Sequence, residues 1–502
     1  MSRRGRLESF VSSPAFPAVA ALVTALAVTW MWGGLDQPGA FHDERAYVVQ
    51  ARLLAGGSWT AATPPQPLAW AMPHVFMEPA IFAKYPPGFA PLLVPGIWIG
   101  LPGLMPVLLA GGAAALLVLL VRRLAGPWPA AGAWLLWTSS APAAAWHASY
   151  FSETATTTLY LGALLALHHW WQRPRATLLV LLVACMGWIG ISRPVTGMAL
   201  AVPIAALLMR RVWRERQLDG WRAAVVVGIV ICSIVPYWSM RTLGSPGRMP
   251  YSEYSREYFP LDMPGFARDT SAPRQPLPAD FQALSGELEL LYADHRPQRI
   301  PDYILGRGTA LGAQVVGTRV WVHAWLLAPV GFALLGAGVA WFAVGSVSAM
   351  LVVYTLMPHP VHWTLYYLEL FPLVAAAAVV ALARFPRLLL PVAGVAFAAL
   401  VIGNVQGWPR EHRIKSRLTA HQRGAQSLIR GLDDPFAVIF VRRSESRTPH
   451  FTLIDILGPP STTPTWVVRD LGAELNSRLL QHAGGRRPYI LDENEMTLTG
   501  GR

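Results

Sequence analysis

PAFPAVAALVTALAVTWMWGGLDQPGAFHDERAYVVQARLLAGGSW (14–59) places an apolar run directly before a paired Asp-Glu. Pro14 to Trp32 is long enough to cross a bilayer. Arg3, Arg4 and Arg6 precede it. A cleaved signal peptide can begin this way, but this run is long for one and more apolar runs follow. It reads as a first transmembrane helix with a cytoplasmic N-terminus. Beyond it, Asp43 to Ala55 has helical spacing, with Ala46, Val49, Leu53 and Leu54 on one broad face. That pattern predicts an amphipathic helix at the membrane surface.

The whole chain agrees with this opening. Of 502 residues, 53% are hydrophobic and only 14% charged. A soluble chain carries about 25% charged residues, so a soluble enzyme and a disordered scaffold are both excluded. The formal charge is +13, but the basic residues lie between apolar runs. The positive-inside bias accounts for most of them, and no nucleic acid is expected. Arg122-Arg123, Arg173 with Arg175, the run from Arg210 to Arg222, and Arg384 with Arg387 each follow an apolar stretch. Placing them all in the cytoplasm gives about eleven spans. Pro86 to Leu101 is apolar but broken by Pro91 and Pro95, and reads as an interfacial or re-entrant segment. Cys185 and Cys232 lie in apolar runs and make neither a disulfide framework nor a metal motif.

The expected fold is thus an all-α polytopic membrane domain over residues 1–405, with outer loops at 33–101 and 241–307. Residues 406–502 read as a small α/β domain on the outer, periplasmic face. PFAVIFV (435–441), Trp466–Val468 and Pro488–Leu491 are its expected strands. Leu471, Leu475 and Leu479 mark a helix between the last two.

Candidate chemistry collects on the outer segments. Asp43 sits at or near a helix N-cap and Glu44 beside it, so capping and dipole roles explain both. A carboxylate at an interface can equally serve as a base. FMEPAIFAKYPPGFAPL (76–92) carries Glu78, Lys84 and Tyr85. Lys84 is one of only two lysines, with Lys415. It either snorkels to lipid phosphates or holds a substrate phosphate as a point charge. WHASYFSETATTTLY (146–160) brings His147, Tyr150 and Glu153 to the start of a span, where polar groups are costly unless paired or used. Arg193 lies on the outer side against the charge bias, free to pair with a carboxylate or hold a phosphate. MPHPVHWTLYYLELFPL (357–373) adds His359, His362, Tyr366 and Glu369. An interfacial aromatic belt explains the tyrosines, but Glu369 begins an apolar span. Pro360 separates the two histidines and no third ligand is in spacing, so no metal or other cofactor is expected, a divalent ion being left open.

In this order, these pieces resemble the GT-C superfamily of membrane glycosyltransferases. The similarity is to the branch of protein O-mannosyltransferases, lipid A aminoarabinose transferases and bacterial RgtA/B/C/D-like proteins. It rests on Asp43-Glu44 with Tyr47, Ala51 and Gly56, on Lys84 with Pro86-Pro87, and on the acidic turn at Glu153. Arg193-Pro194 and the run from Tyr366 to Pro372 complete it, over roughly residues 14–405. That branch often carries Asp where this chain has Glu153. The tail from Asp470 to Leu491 is similar to the C-terminal part of some uncharacterised bacterial relatives.

The resemblance implies a polyprenyl-phosphate sugar donor used on the outer face of the cytoplasmic membrane. A glycan, lipid or protein hydroxyl would accept the sugar, with inversion. Asp43 would be the base, with Glu44 and Glu153 shaping the acceptor site, and Lys84 and Arg193 would hold the phosphate. Glu78, Tyr85, His147, Tyr150, His359, His362, Tyr366 and Glu369 would line the substrate cavity. The competing readings are a polytopic lipid or glycan transporter or flippase, and a scaffold whose tail binds a partner. A transporter needs polar residues near mid-membrane and repeated broken helices, and no internal repeat is evident. A scaffold would be indifferent to Asp43.

Overall fold

The computed structural model describes residues 3–215, 220–316, 324–444 and 448–500. Residues 216–219, within the basic run from Arg210 to Arg222, lie outside the described residues. Six described helices are long and apolar enough to cross a membrane: Leu104–Ala125, Pro194–Arg214, Trp221–Leu243, Ala337–Leu356, Thr364–Ala383 and the start of Arg387–Arg430. A bent pair, Gly5–Ser12 with Phe16–Trp32, makes a seventh if counted as one span. Eleven spans were expected. Other apolar helices are shorter, among them Ala176–Ser192 and Pro127–Ser139, because turns and prolines divide the apolar runs.

The bundle has two chemically different ends. Arg122 donates to the carbonyls of Val11 and Ser13, tying the N-terminal helix to the end of Leu104–Ala125. Arg211 lies over the Trp170 ring, 4.7 Å from its centroid. The arginine-rich ends therefore gather on one side. Gly103, at the other end of Leu104–Ala125, donates to the Leu35 carbonyl beside the first loop. Between them runs an alanine-rich core in which Ala375, Ala377, Ala378 and Ala133 are buried. Small side chains let helices approach closely, which is how helices associate where lipid is as apolar as leucine. A Cβ on Gly331 would fall on the backbone of Ala377, marking one such contact.

The proline-broken segment forms a nine-residue helix, Ala90–Trp98. At 1.5 Å per residue it covers about 14 Å, half of a bilayer core. Trp98 and Ile99 at its end are exposed.

The first loop departs from the expected surface helix. His42–Ala55 is helical, but Glu44 to Ala51, Leu53 and His42 are all buried. The tail covers it. Trp466–Arg469, Ala437–Arg442 and Arg487–Asp492 form a parallel sheet in that spatial order, closed by the antiparallel strand Thr497–Gly500. Helix Ala473–Gln481 packs on it through Leu479. One core contains Ala46, Val49 and Leu53 of the loop helix with Phe440, Trp466 and Val468 of the sheet. The rings of Trp70 and Trp466 meet at 5.1 Å between centroids. The tail and the first loop thus pack on a shared core, and the helical spacing of Ala46, Val49 and Leu53 turns the apolar side of the loop helix to the sheet.

The second large loop joins them. Its helix Pro250–Tyr258 packs Tyr254 against Phe76 and Phe82 of a small three-stranded sheet in the first loop. Its helix Ala279–Ala293 reaches the tail, where Asp280 pairs with Arg469 at 2.9 Å and Arg443 at 3.2 Å.

Candidate active site

Helix His42–Ala55 begins at Phe41, whose side chain makes no cap. Asp43 is the second helical residue, so its carboxylate does not cap the helix and faces outward from the first turn. It is one-third exposed. Its neighbours come from elsewhere in the outer layer. Tyr85 donates its hydroxyl to Oδ1. His42 Nδ1 lies 2.9 Å from Oδ2, and His74 Nε2 lies 3.6 Å from Oδ1. Burial alone would raise the carboxyl pKa. The His42 and His74 rings, with hydrogen bonds from His42 and Tyr85, instead hold it well below the usual carboxylate range. Burial and the nearby Lys84 charge push the His74 imidazole well below its ordinary value.

His42, Asp43 and His74 each bring a donor atom to within 4.8 Å of the others. The two imidazoles meet edge to face with centroids 4.4 Å apart. Their donor atoms are close enough together to hold a metal ion.

Lys84 follows strand Ala80–Ala83 and is fully enclosed. Its ammonium pairs with Asp262 of the second loop at 2.9 Å. Tyr251 lies beneath it at 4.5 Å, and Tyr254 and Tyr85 at 5.4 and 5.5 Å. Sequence neighbours Lys84 and Tyr85 therefore belong to two adjoining groups, one around Asp262 and one around Asp43. The Lys84 amide donates to the His74 carbonyl, which fixes the strand end.

The third group lies deeper. Arg193 pairs with Glu153, donates to Tyr354 at 2.6 Å, and stands 3.9 Å from Glu369. Glu369 accepts from Thr156. Tyr366 faces the guanidinium at 5.8 Å. Tyr47, stacked on Tyr85 at 4.6 Å, donates to Ser152 beside Glu153 and so links this group to Asp43. All three charges lie at helix ends on the side of the bundle that bears the loops. Gly88 sets their approach: its carbonyl accepts from Trp188, its amide donates to Ile191, and a Cβ there would strike Ser192.

Asp43, Lys84, Tyr85, Glu153, Arg193, Tyr366 and Glu369 are thus brought together. The other expected residues are engaged differently. Glu44 is buried, accepts from the Tyr150 amide at 2.9 Å, and points away from Asp43 into the tail-covered side. Tyr150 donates to the Gln37 carbonyl and His147 contacts Thr154, both within the fold. Glu78 and His362 are exposed. His359 hydrogen-bonds Tyr367 and the Met357 carbonyl, and burial pushes its pKa down to about 3. Sequence reading missed His42, His74, Asp262, His450 and Tyr354, and gave Tyr47 only as part of the motif after Asp43. His42 adjoins the Asp-Glu pair and was the one within reach. His74, Asp262 and His450 are single residues in loops, and Tyr354 ends an apolar helix; only the fold joins them.

No protein-family model matches the sequence, and no curated protein matches it. Solved structures do resemble it. ArnT from Cupriavidus metallidurans bound to undecaprenyl phosphate superposes with a TM-score of 0.54 at 14% identity, covering 96% of this chain and 93% of that one. ArnT from the same organism in the apo state gives 0.47 at 16% identity, covering 86% and 83%. The archaeal oligosaccharyltransferase AglB from Archaeoglobus fulgidus, in complex with an inhibitory peptide and a dolichol-phosphate, gives 0.45 at 12% identity, covering 84% and 58%. The superposition on the lipid-bound ArnT covers nearly the whole of both chains, and this chain shares the fold of that membrane protein.

Proposed function

We propose that this chain is a glycosyltransferase that moves a sugar from a polyprenyl-phosphate donor to an acceptor hydroxyl at the outer face of the cytoplasmic membrane. The observation that carries the reading is the link from Asp43 through Tyr85 to Lys84. It sets an ionised, partly exposed carboxylate beside an enclosed cation, as a sugar between a base and a leaving phosphate requires. The fold neighbour bound to undecaprenyl phosphate supports the donor class.

The roles follow from charge. A lipid phosphate leaves as a stable anion and needs cations rather than an acid. In this reading it takes the place of the Asp262 carboxylate on Lys84, with Arg193 as the second cation. The acceptor hydroxyl approaches from the Asp43 side, opposite the phosphate, and a single displacement inverts the anomeric carbon. A carboxylate held at low pKa is a weak base. It suits a transfer in which the acceptor oxygen becomes strongly acidic only as the new bond forms. The acceptor is a glycan, lipid or protein hydroxyl. Helix-end placement of Glu153, Arg193 and Glu369 favours a transferase over a transporter, whose polar groups lie near mid-membrane.

The test follows label from undecaprenyl-phosphate hexoses and pentoses, radiolabelled in the sugar, in membranes carrying the full chain or Asp43→Asn. Transfer is expected with wild type, reduced about 100-fold or more in the variant at equal protein level. Equal transfer by both, or none from the whole panel, overturns the reading.

A further inference from the structure

Two histidines and a carboxylate converge from two parts of the first loop. His42 Nδ1 lies 2.9 Å from Asp43 Oδ2, and His74 Nε2 lies 3.6 Å from Asp43 Oδ1. Ligand atoms on a tetrahedral zinc ion stand about 3.3 Å apart, given bonds of roughly 2.0–2.2 Å. The two separations bracket that value. His42 and His74 are buried, whereas Asp43 is one-third exposed. Three protein ligands leave a tetrahedral ion a fourth position, here on the exposed Asp43 side.

The surroundings hold these residues as ligands. His74 stands in the left-handed region, at φ +68°. Its amide donates to the Tyr254 hydroxyl at 2.7 Å and its carbonyl accepts from Lys84, so a conformation unfavourable for a residue with a Cβ is fixed from both sides. Behind His42, Nε2 lies 3.0 Å from His450 Nδ1, and His450 Nε2 lies 2.7 Å from Glu287. Metal-bound histidines commonly donate their other ring nitrogen to such a group. Counting protons shows the fit. From Asp43 to Glu287 run three contacts, each needing one proton, and two neutral imidazoles carry two. An ion on His42 Nδ1 takes the place of the proton there. His42 Nε2 then donates to His450, and His450 Nε2 to Glu287, with both rings neutral. Lys84, whose charge would repel an ion, is paired with Asp262.

We infer that His42, Asp43 and His74 form a zinc site, with His450 and Glu287 orienting His42 from behind. Two imidazole nitrogens favour zinc over magnesium or calcium, which take oxygen ligands. What the fourth position takes rests on the glycosyl-transfer reading above: it is the acceptor hydroxyl. A zinc ion acidifies a hydroxyl bound to it, which suits a base as weak as Asp43. In the step, Asp43 Oδ2 stays on the ion and Oδ1 takes the hydroxyl proton. The acceptor oxygen bonds to the anomeric carbon as that carbon's bond to the phosphate oxygen breaks, the electron pair leaving with the lipid phosphate. All three ligands belong to the first loop, and the tail and second loop reach the ion only through His450 and Glu287.

Zinc binding is read without any substrate. The full chain in detergent, stripped with a chelator and checked by elemental mass spectrometry, is titrated with zinc chloride by calorimetry. One zinc ion per chain is expected. His74→Gln is expected to weaken binding about 100-fold or more, and Glu287→Ala about 10-fold, acting through His42 alone. Glu287 is 44% exposed, so its replacement keeps the test open even where His74→Gln does not fold. Cobalt in place of zinc is expected to give the visible absorption of a four-coordinate ion, lost in His42→Gln. A wild type that binds no zinc overturns the inference. So does unchanged affinity in both Glu287→Ala and His74→Gln, which places the ion elsewhere. Sugar transfer is expected to fall about 100-fold on stripping and to return with zinc. Full transfer by the stripped enzyme overturns the role given to the ion. These outcomes leave the transferase reading standing, since that reading fails separately, when wild type and Asp43→Asn transfer label equally.

Discussion

Lys84 is the most deeply enclosed cation beside Asp43. An ammonium so enclosed needs an anion, and Asp262 of the second loop supplies it at 2.9 Å. Removing one member of such a pair leaves the other uncompensated. Asp262→Asn is therefore expected to lower the melting temperature of the purified protein, and undecaprenyl phosphate to restore it. Affinity for that lipid phosphate should rise roughly fivefold, as about 1 kcal/mol of competition is removed. A variant that melts like wild type and binds no more tightly would place the phosphate elsewhere. His359 gives a pH prediction. Its pKa is about 3 in the fold, below the ordinary 6.5. Between those values the unfolded chain binds the extra proton, so stability rises with pH through this window and is lost as pH falls from 6.5 towards 3. His359→Gln is expected to flatten that part of the stability curve, read by thermal unfolding from pH 4 to 7. An unchanged slope would remove His359 from the acid response.

At the scale of elements, the site depends on two close contacts. Gly88 follows the double proline and lies against the turn before Arg193. An added Cβ would come within 2.8 Å of the Ser192 nitrogen. Backbone cannot yield as a flexible side chain does, so Gly88→Ala is expected to shift Arg193 and cut transfer about tenfold, a 1.4 kcal/mol effect on the barrier. Full activity would show that the turn moves freely. The second contact is Asp455, which pairs with Arg52 at 2.8 Å and Arg45 at 3.4 Å and accepts the loop helix into the tail. Arg45 is buried, so Asp455→Ala is expected to cost about 3 kcal/mol, read by denaturant or thermal unfolding. These contacts also show what the sequence could reveal. Asp43, Lys84 and Arg193 were legible because each stood out locally: a carboxylate after a span, a rare lysine before two prolines, an arginine on the wrong side. The tail strands were legible from their apolar runs. The burial of the loop helix was not, because an apolar face has the same spacing whether lipid or a sheet covers it. Asp262, His74 and His450 were invisible for a similar reason. Each is a single loop residue whose partner lies far away in the chain.

Over the whole molecule, the outer layer is one structure made from three chain segments. The first loop supplies Asp43, His74 and Lys84, the second supplies Tyr251 and Asp262, and the tail supplies the cover. The tail strands bury Phe440, Trp466 and Val468 against Val49, Leu53 and Trp70. Each large apolar side chain fully buried contributes about 1.5–3 kcal/mol. Removing residues 431–502 would expose the loop-helix side of this core and leave Arg45 without Asp455. It would also free His42 from His450. The membrane bundle has its own alanine-rich core and does not need the tail. The truncated chain is therefore expected to insert into membranes and purify, but with its first loop cut by protease between residues 41 and 83 and with no transfer activity. Limited proteolysis of wild type and truncated protein, mapped by mass spectrometry, separates the possibilities. A first loop that stays protected without the tail would show that it folds alone, and would confine the tail to another role.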